Sequence, residues 1–185
     1  MLRVVEESPD DLDAYSQISI AFEVRSRFGV EPAGDQFSLV EEPVPEPWLK
    51  DETDPYRPSN LGRHLELTNI GVLGAYLDGV RVGGAIVGYD NPGWWFLDGR
   101  REVASCPDLR VDPAHRRLGA GRALFEAGAT WARQRGCVML LIETQDTNVP
   151  ACRFYEAMGC TLHEVRPGFY PDSDELCLIW KKVLT

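Results

Sequence analysis

Residues 137–143 read CVMLLIE, an apolar run of strand length that follows directly on a stretch of helical periodicity. A strand that is apolar throughout is buried on both faces, which places it inside a sheet covered by helices. Ahead of it, residues 103–111 read as another strand, followed by a short loop holding Gly119 and Gly121 and then by the helix. In that helix Leu124, Gly128, Trp131 and Ala132 share one face, while Arg122, Glu126 and Arg133 fall elsewhere. Gly136 is placed to end it. A strand, loop, helix, strand unit of this kind pairs its two strands in parallel through a right-handed crossover, so the chain is committed to an α/β architecture.

The flanking segments extend this unit. GVLGAYLDGVRVGGAIVGYD, residues 71–90, alternates as two strands joined at Asp78-Gly79, a strong hairpin signal. After CVMLLIE, the turn residues TQDTNVP precede a short helix at residues 151–158, which Gly159 closes. A last strand spans residues 175–184. The sheet is therefore expected to be mixed, antiparallel early and parallel in the middle. Residues 41–60 hold five prolines among clustered acids and read as a long surface excursion that no helix crosses. At 185 residues the chain suits one domain, residues 1–185, with a full core.

Composition removes several classes. The acidic N-terminus lacks a signal-peptide pattern and no apolar stretch approaches spanning length, so a soluble, cytoplasmic protein with no membrane partner is expected. Five cysteines without C-x-x-C, and three scattered histidines, indicate neither a disulfide framework nor a metal site. A net charge of −10 argues against a nucleic-acid surface and favours a cationic partner.

The loop HRRLGAGRAL, residues 115–124, is where chemistry concentrates. Glycines between a strand and a helix let backbone N–H groups face an anion at the positive helix end. A Walker loop needs a lysine after its second glycine, and none is present. A dinucleotide loop needs a third glycine where Leu124 stands, although Glu143 sits at a strand end at the distance that motif asks of its acid. The third reading is R-x-x-G-x-G, Arg116 to Gly121, entered from the strand LRV.

This third pattern resembles the acyl-CoA loop of the GNAT superfamily of N-acetyltransferases. A second element strengthens the likeness: Asn148, Ala151, Tyr155 and Gly159 stand in the spacing N-x-x-A-x-x-x-Y-x-x-x-G, which the superfamily carries after its next strand. The resemblance is nearest to bacterial streptothricin acetyltransferase-like members and recurs in YPDSDELCLIW, IAFEVRSRFGV and EPWLKDE. It implies an acyl-CoA N-acyltransferase fold, a mixed central sheet flanked by helices, and acetyl-CoA as cosubstrate. By the same resemblance the main chain of Arg116, Arg117, Leu118, Gly119, Ala120, Gly121 and Arg122 wraps the pyrophosphate, Leu109 and Val111 offer main-chain groups to the pantetheine arm, and Asn148 bonds near it. Arg117 stands where many members have glycine, and Cys160 replaces a common aromatic.

Acetyl transfer to an amine needs a deprotonated nucleophile and a proton for the departing thiolate. Tyr155 is the candidate acid, because a phenol is neutral at pH 7 and the resemblance places it beside the CoA sulfur; its alternative reading is a packing aromatic. Asp108, where the strand approaches the loop, is the candidate base, with Glu102 second. Pro107 lacks a ladder N–H and suggests a bulge able to aim Asp108. Cys152 and Cys160 read as small buried cysteines, so direct transfer without an acyl-cysteine is expected. Asn148 also suits a helix cap. The expected acceptor is a small cationic amine of the streptothricin type, with a protein amino group or a non-catalytic acyl-CoA sensor as alternatives. A homodimer is compatible with this reading. Acids such as Glu23, Glu46, Asp51 and Glu52 and the rings of Trp48, Trp94 and Trp95 are assigned no site role.

Overall fold

Asp78 and Gly79 take φ values of 49° and 87°, the doubly positive φ of a tight turn whose twist matches its strands. They join β4 (Ile70–Leu77) to β5 (Val80–Tyr89). In the computed structural model, which describes all residues except 10–11, 35, 52–67, 92–93, 95–96, 98 and 172, the remaining elements are β1 (Leu2–Glu7), α1 (Leu12–Ser16), β2 (Phe22–Ala33), β3 (Gln36–Lys50), β6 (Val103–Val111), α2 (Ala120–Gln134), β7 (Met139–Gln145), α3 (Val149–Ala157), β8 (Thr161–Arg166) and β9 (Cys177–Val183). Seven strands form a mixed sheet in the order β1-β4-β5-β6-β7-β9-β8, and β2 and β3 form a ribbon of their own. No helix among the described residues is long and apolar enough to cross a membrane.

The chain separates into two compact units. The first comprises Met1–Ala21, Asp51–Leu140 and Val183–Thr185. In it β1, β4, β5 and β6 run antiparallel in succession. Helix α2 lays Leu124, Phe125, Trp131 and Ala132, all 4% exposed or less, toward those strands. Each such large apolar side chain contributes about 1.5–3 kcal/mol on burial. Gly136, at φ 83°, ends α2 as the sequence predicts.

The second unit comprises Phe22–Lys50 and Leu141–Lys182. The CVMLLIE run contributes its core in Leu141 and Ile142, with the strand itself starting two residues later than expected. Helix α3 starts at an Asn148 cap and is followed by Gly159 at φ 73°.

Residues 41–50 are a correction. They form the last ten of the 15 residues of β3 and not an irregular excursion; residues 52–60 lie outside the described set. Three of the prolines, Pro43, Pro45 and Pro47, share one parity. The outer edge of a two-stranded ribbon needs no donors, so prolines are tolerated there. Pairing moves from Val24 opposite Trp48 to Ser26 opposite Pro43, so the four residues 44–47 face Arg25 alone. The ribbon is pinned within its unit by charge. Arg27 bonds Asp146 and Asp174 at 2.8 Å each, and Lys50 bonds Glu175 at 2.6 Å. These partners hold the segment around Asp174 and Glu175, which belongs to the YPDSDE stretch singled out above.

Candidate active site

Strand β6 carries the irregularity that Pro107 suggests. Ile86 pairs with Asp108 and Gly88 with Ser105, so Val87 faces two residues, Cys106 and Pro107. This is a bulge, and it re-aims the side chain that follows. Asp108 turns toward α1, where Tyr15 Oη donates to its Oδ1. Arg110, two residues on and so on the same face of the strand, closes on the carboxylate with Nε to Oδ1 at 2.9 Å and a second bond from the guanidinium to Oδ2. Its remaining Nη donates to the Ile18 carbonyl at 3.1 Å.

The network extends through the Tyr15 ring. The guanidinium carbons of Arg110 and Arg81 lie 5.4 and 5.5 Å from its centroid, within cation–π range. Arg81 pairs with Glu7, and Tyr76 donates to Glu7 at 2.5 Å. Gly84, opposite Arg110 in the ladder, makes the ring position available, since a Cβ there would stand 2.4 Å from Tyr15. Burial, then the Asp108 carboxylate, holds the Tyr15 phenol well above its ordinary pKa, so it remains a donor. Burial works against the Arg110 charge, but the bonds and attraction from Asp108 outweigh it and raise that pKa. Of these residues only Asp108 is a candidate from the sequence. Arg110, two residues from Asp108 in the same strand, was the available signal; Tyr15 is 93 positions from Asp108 and offered none. Glu102 precedes β6, and its carbonyl accepts from Val138 N–H at 2.9 Å.

The loop after β6 lies in the same unit. Asp112 caps a single turn of 3-10 helix at Pro113–His115. Arg116 then spends its side chain on the chain itself, donating to the carbonyls of Val111 at 3.1 Å and Ala21 at 3.0 Å. The guanidinium is a clasp for the loop, and the Arg116 N–H donates to the Pro113 carbonyl at 3.5 Å, so the residue closes the entry to the loop. Arg117 takes φ 67° and Gly119 φ 90°, so Arg117 keeps the left-handed conformation that glycine adopts without strain. Helix α2 starts at Ala120 with no side-chain cap, leaving first-turn N–H groups to an outside acceptor. Gly121 and Arg122 follow in that turn, and Leu118 is 57% exposed. Uncapped amides with Arg117 and Arg122 exposed beside them fit a diphosphate such as that of acetyl-CoA. Leu109 pairs with Ala85 and Val111 with Gly83 on β5.

The second unit holds the other two candidates. Asn148 Oδ1 accepts from Ala151 N–H at 3.2 Å, the cap expected before Pro150. Tyr155 is 7% exposed on α3, with Phe154 and Trp180 rings at 5.5 and 6.3 Å. In the same unit Tyr170 donates to Glu143, which lies inside β7 and not at its end, since the strand continues to Gln145. Burial pushes the Cys152 thiol up to about 12 and the Cys160 thiol up to about 11.

The chain is similar to known proteins over most of its length. Residues 35–160 match the profile of the acetyltransferase (GNAT) family. A streptothricin acetyltransferase of Streptomyces lavendulae is 30% identical over 155 residues, covering 82% of this chain and 77% of its own. The crystal structure of nourseothricin acetyltransferase superposes with a TM-score of 0.77 at 28% identity, covering 100% of this chain and 99% of that one. A Bacillus anthracis protein solved with acetyl coenzyme A shares the fold, with a TM-score of 0.80 at 24% identity over 99% of both chains. With the family profile spanning most of the chain and the bulged strand and uncapped glycine loop in place, the protein belongs to the GNAT family and is an acetyl-CoA-dependent N-acetyltransferase.

Proposed function

We propose that the protein moves the acetyl group of acetyl-CoA directly to a primary amine of a small cationic acceptor of the streptothricin type, within a single catalytic domain of residues 1–185. The likeness to a streptothricin acetyltransferase over 82% of the chain carries this reading, and the net charge of −10 suits a cationic acceptor. The main chain from Arg116 to Arg122 holds the diphosphate, and Leu109, Val111 and Asn148 serve the pantetheine arm. The acceptor ammonium gives a proton to Asp108, directly or through one water. Its nitrogen then attacks the thioester carbonyl, the C–S bond breaks, and Tyr155 protonates the departing thiolate; the proton that the nitrogen sheds on becoming an amide passes through water to the Tyr155 phenolate, and Asp108 returns its proton to solvent. Cys152 and Cys160, with thiols raised by burial to about 12 and about 11, are protonated at neutral pH and poor nucleophiles, which supports direct transfer.

Thiol release from acetyl-CoA, measured against streptothricin, a polyamine, neutral amino acids and a lysine peptide, tests the acceptor. Turnover fastest with streptothricin and falling as salt is raised supports the proposal. Preference for the peptide or for neutral amines overturns it.

A further inference from the structure

The Tyr15–Asp108–Arg110 cluster is unexplained by stability alone. An apolar trio would hold β6 to α1 at least as well as a buried ion pair, whose desolvation offsets much of its attraction. The exposure that remains is also uneven: the Arg110 side chain is 1% exposed and the Asp108 side chain 15%. The exposure that remains lies on Asp108. That carboxylate accepts two bonds at Oδ1, from Tyr15 Oη and Arg110 Nε, and one at Oδ2, from the Arg110 terminus. Three of its roughly four acceptor positions are filled.

We propose that Tyr15 and Arg110 are positioning residues for acetyl transfer, clamping the Asp108 carboxylate so that one Oδ2 acceptor position alone is left to receive the acceptor ammonium or a relay water. The proposal rests on the reading of Asp108 as base given above and adds which oxygen acts and what aims it. The charged and titratable groups around Asp108 are Arg110 and Cys106 from β6 and Tyr15 from α1. Beyond the Tyr15 ring stand Arg81 of β5, its partner Glu7 of β1, and Tyr76 of β4. Tyr76→Phe is therefore a matched control, since it removes a phenol–carboxylate bond of the same kind from Glu7 and leaves Asp108 untouched.

Tyr15→Phe keeps the ring and its cation–π contacts and removes the O–H. The expected result is a fall in kcat of roughly tenfold or more with an unchanged KM for acetyl-CoA. Tyr76→Phe is expected to lower the melting temperature without lowering kcat. Equal kinetics for the two variants overturn the proposal. A second readout needs no turnover: the carboxyl carbon resonance of Asp108, assigned by its loss in Asp108→Asn, should move at pH 7 in Tyr15→Phe, which removes a bond to that carboxylate, and stay in place in Tyr76→Phe. If the wild-type protein acetylates no amine, the reading of function fails. The resonance then still decides the clamp, and a position unchanged by Tyr15→Phe overturns it.

Discussion

Arg110→Met tests how strongly the buried cluster is coupled. The substitution keeps an unbranched apolar stem but removes three donated bonds, two to Asp108 and one to the Ile18 carbonyl. It leaves Asp108 charged and held by Tyr15 alone. Breaking a buried pair from one side costs about 3–5 kcal/mol. Because Asp108 retains 15% exposure, water recovers part of that, and the lower end, about 3 kcal/mol, applies. For a protein of this size each kcal/mol lowers the melting temperature by roughly 2–4 °C, so the loss is roughly 6–12 °C. The triple variant Tyr15→Phe, Asp108→Leu, Arg110→Met removes the charges and the stranded phenol together. It should recover to within about 1–2 kcal/mol of wild type, since an apolar trio leaves little unpaired. Urea unfolding followed by tryptophan fluorescence measures both. A single-variant loss below about 1 kcal/mol, or a triple variant less stable than the single, refutes the reasoning.

Two further predictions concern separate parts of the molecule. Glu175 is depressed below its ordinary 4.5: burial acts to raise it, but bonds from Lys50, Thr147 and Ser173 outweigh that. A carboxylate lowered in the folded state stabilises above its unfolded value and loses that contribution as pH falls through the folded one. Glu175→Gln should therefore cost about 1–3 kcal/mol at pH 7 and match wild type progressively below pH 4.5; a constant difference across that window contradicts the assignment. Arg117 at φ 67° bears a left-handed cost of about 1–2 kcal/mol, of which glycine returns about 0.5–1 as chain entropy. Arg117→Gly should thus gain about 0.5–1 kcal/mol in stability while raising KM for acetyl-CoA severalfold at low salt, and an unchanged KM removes Arg117 from the phosphate site.

What the sequence revealed follows from the range of the forces involved. Strand β6 at Val103–Val111, the turn at Asp78-Gly79, the caps at Asn148 and Gly136 and the bulge at Pro107 are local devices, fixed by a few neighbouring residues, and each was legible. The β2–β3 ribbon was not, because proline reads as a breaker unless its edge position is known, and that position depends on the pairing of Arg27 and Lys50 with residues more than a hundred positions away. The clamp on Asp108 was illegible for the same reason. Its donor Tyr15 sits on a one-turn helix, and only Arg110, two residues along the strand from Asp108, marked the place. Arg116 was legible as a loop residue, but the bonds of its guanidinium to Val111 and Ala21 depend on where the end of the segment after α1 comes to rest.

Direct transfer of one acetyl group to a cationic small-molecule amine, without an acetylated enzyme, leaves a distinct set of masses. Mass spectrometry of protein and acceptor after incubation of the purified protein with acetyl-CoA and streptothricin tests it most directly. The expected products are streptothricin heavier by one acetyl group, an equal amount of free CoA and unmodified protein. Unmodified streptothricin with acetyl-CoA intact, or a stably acetylated protein, contradicts it.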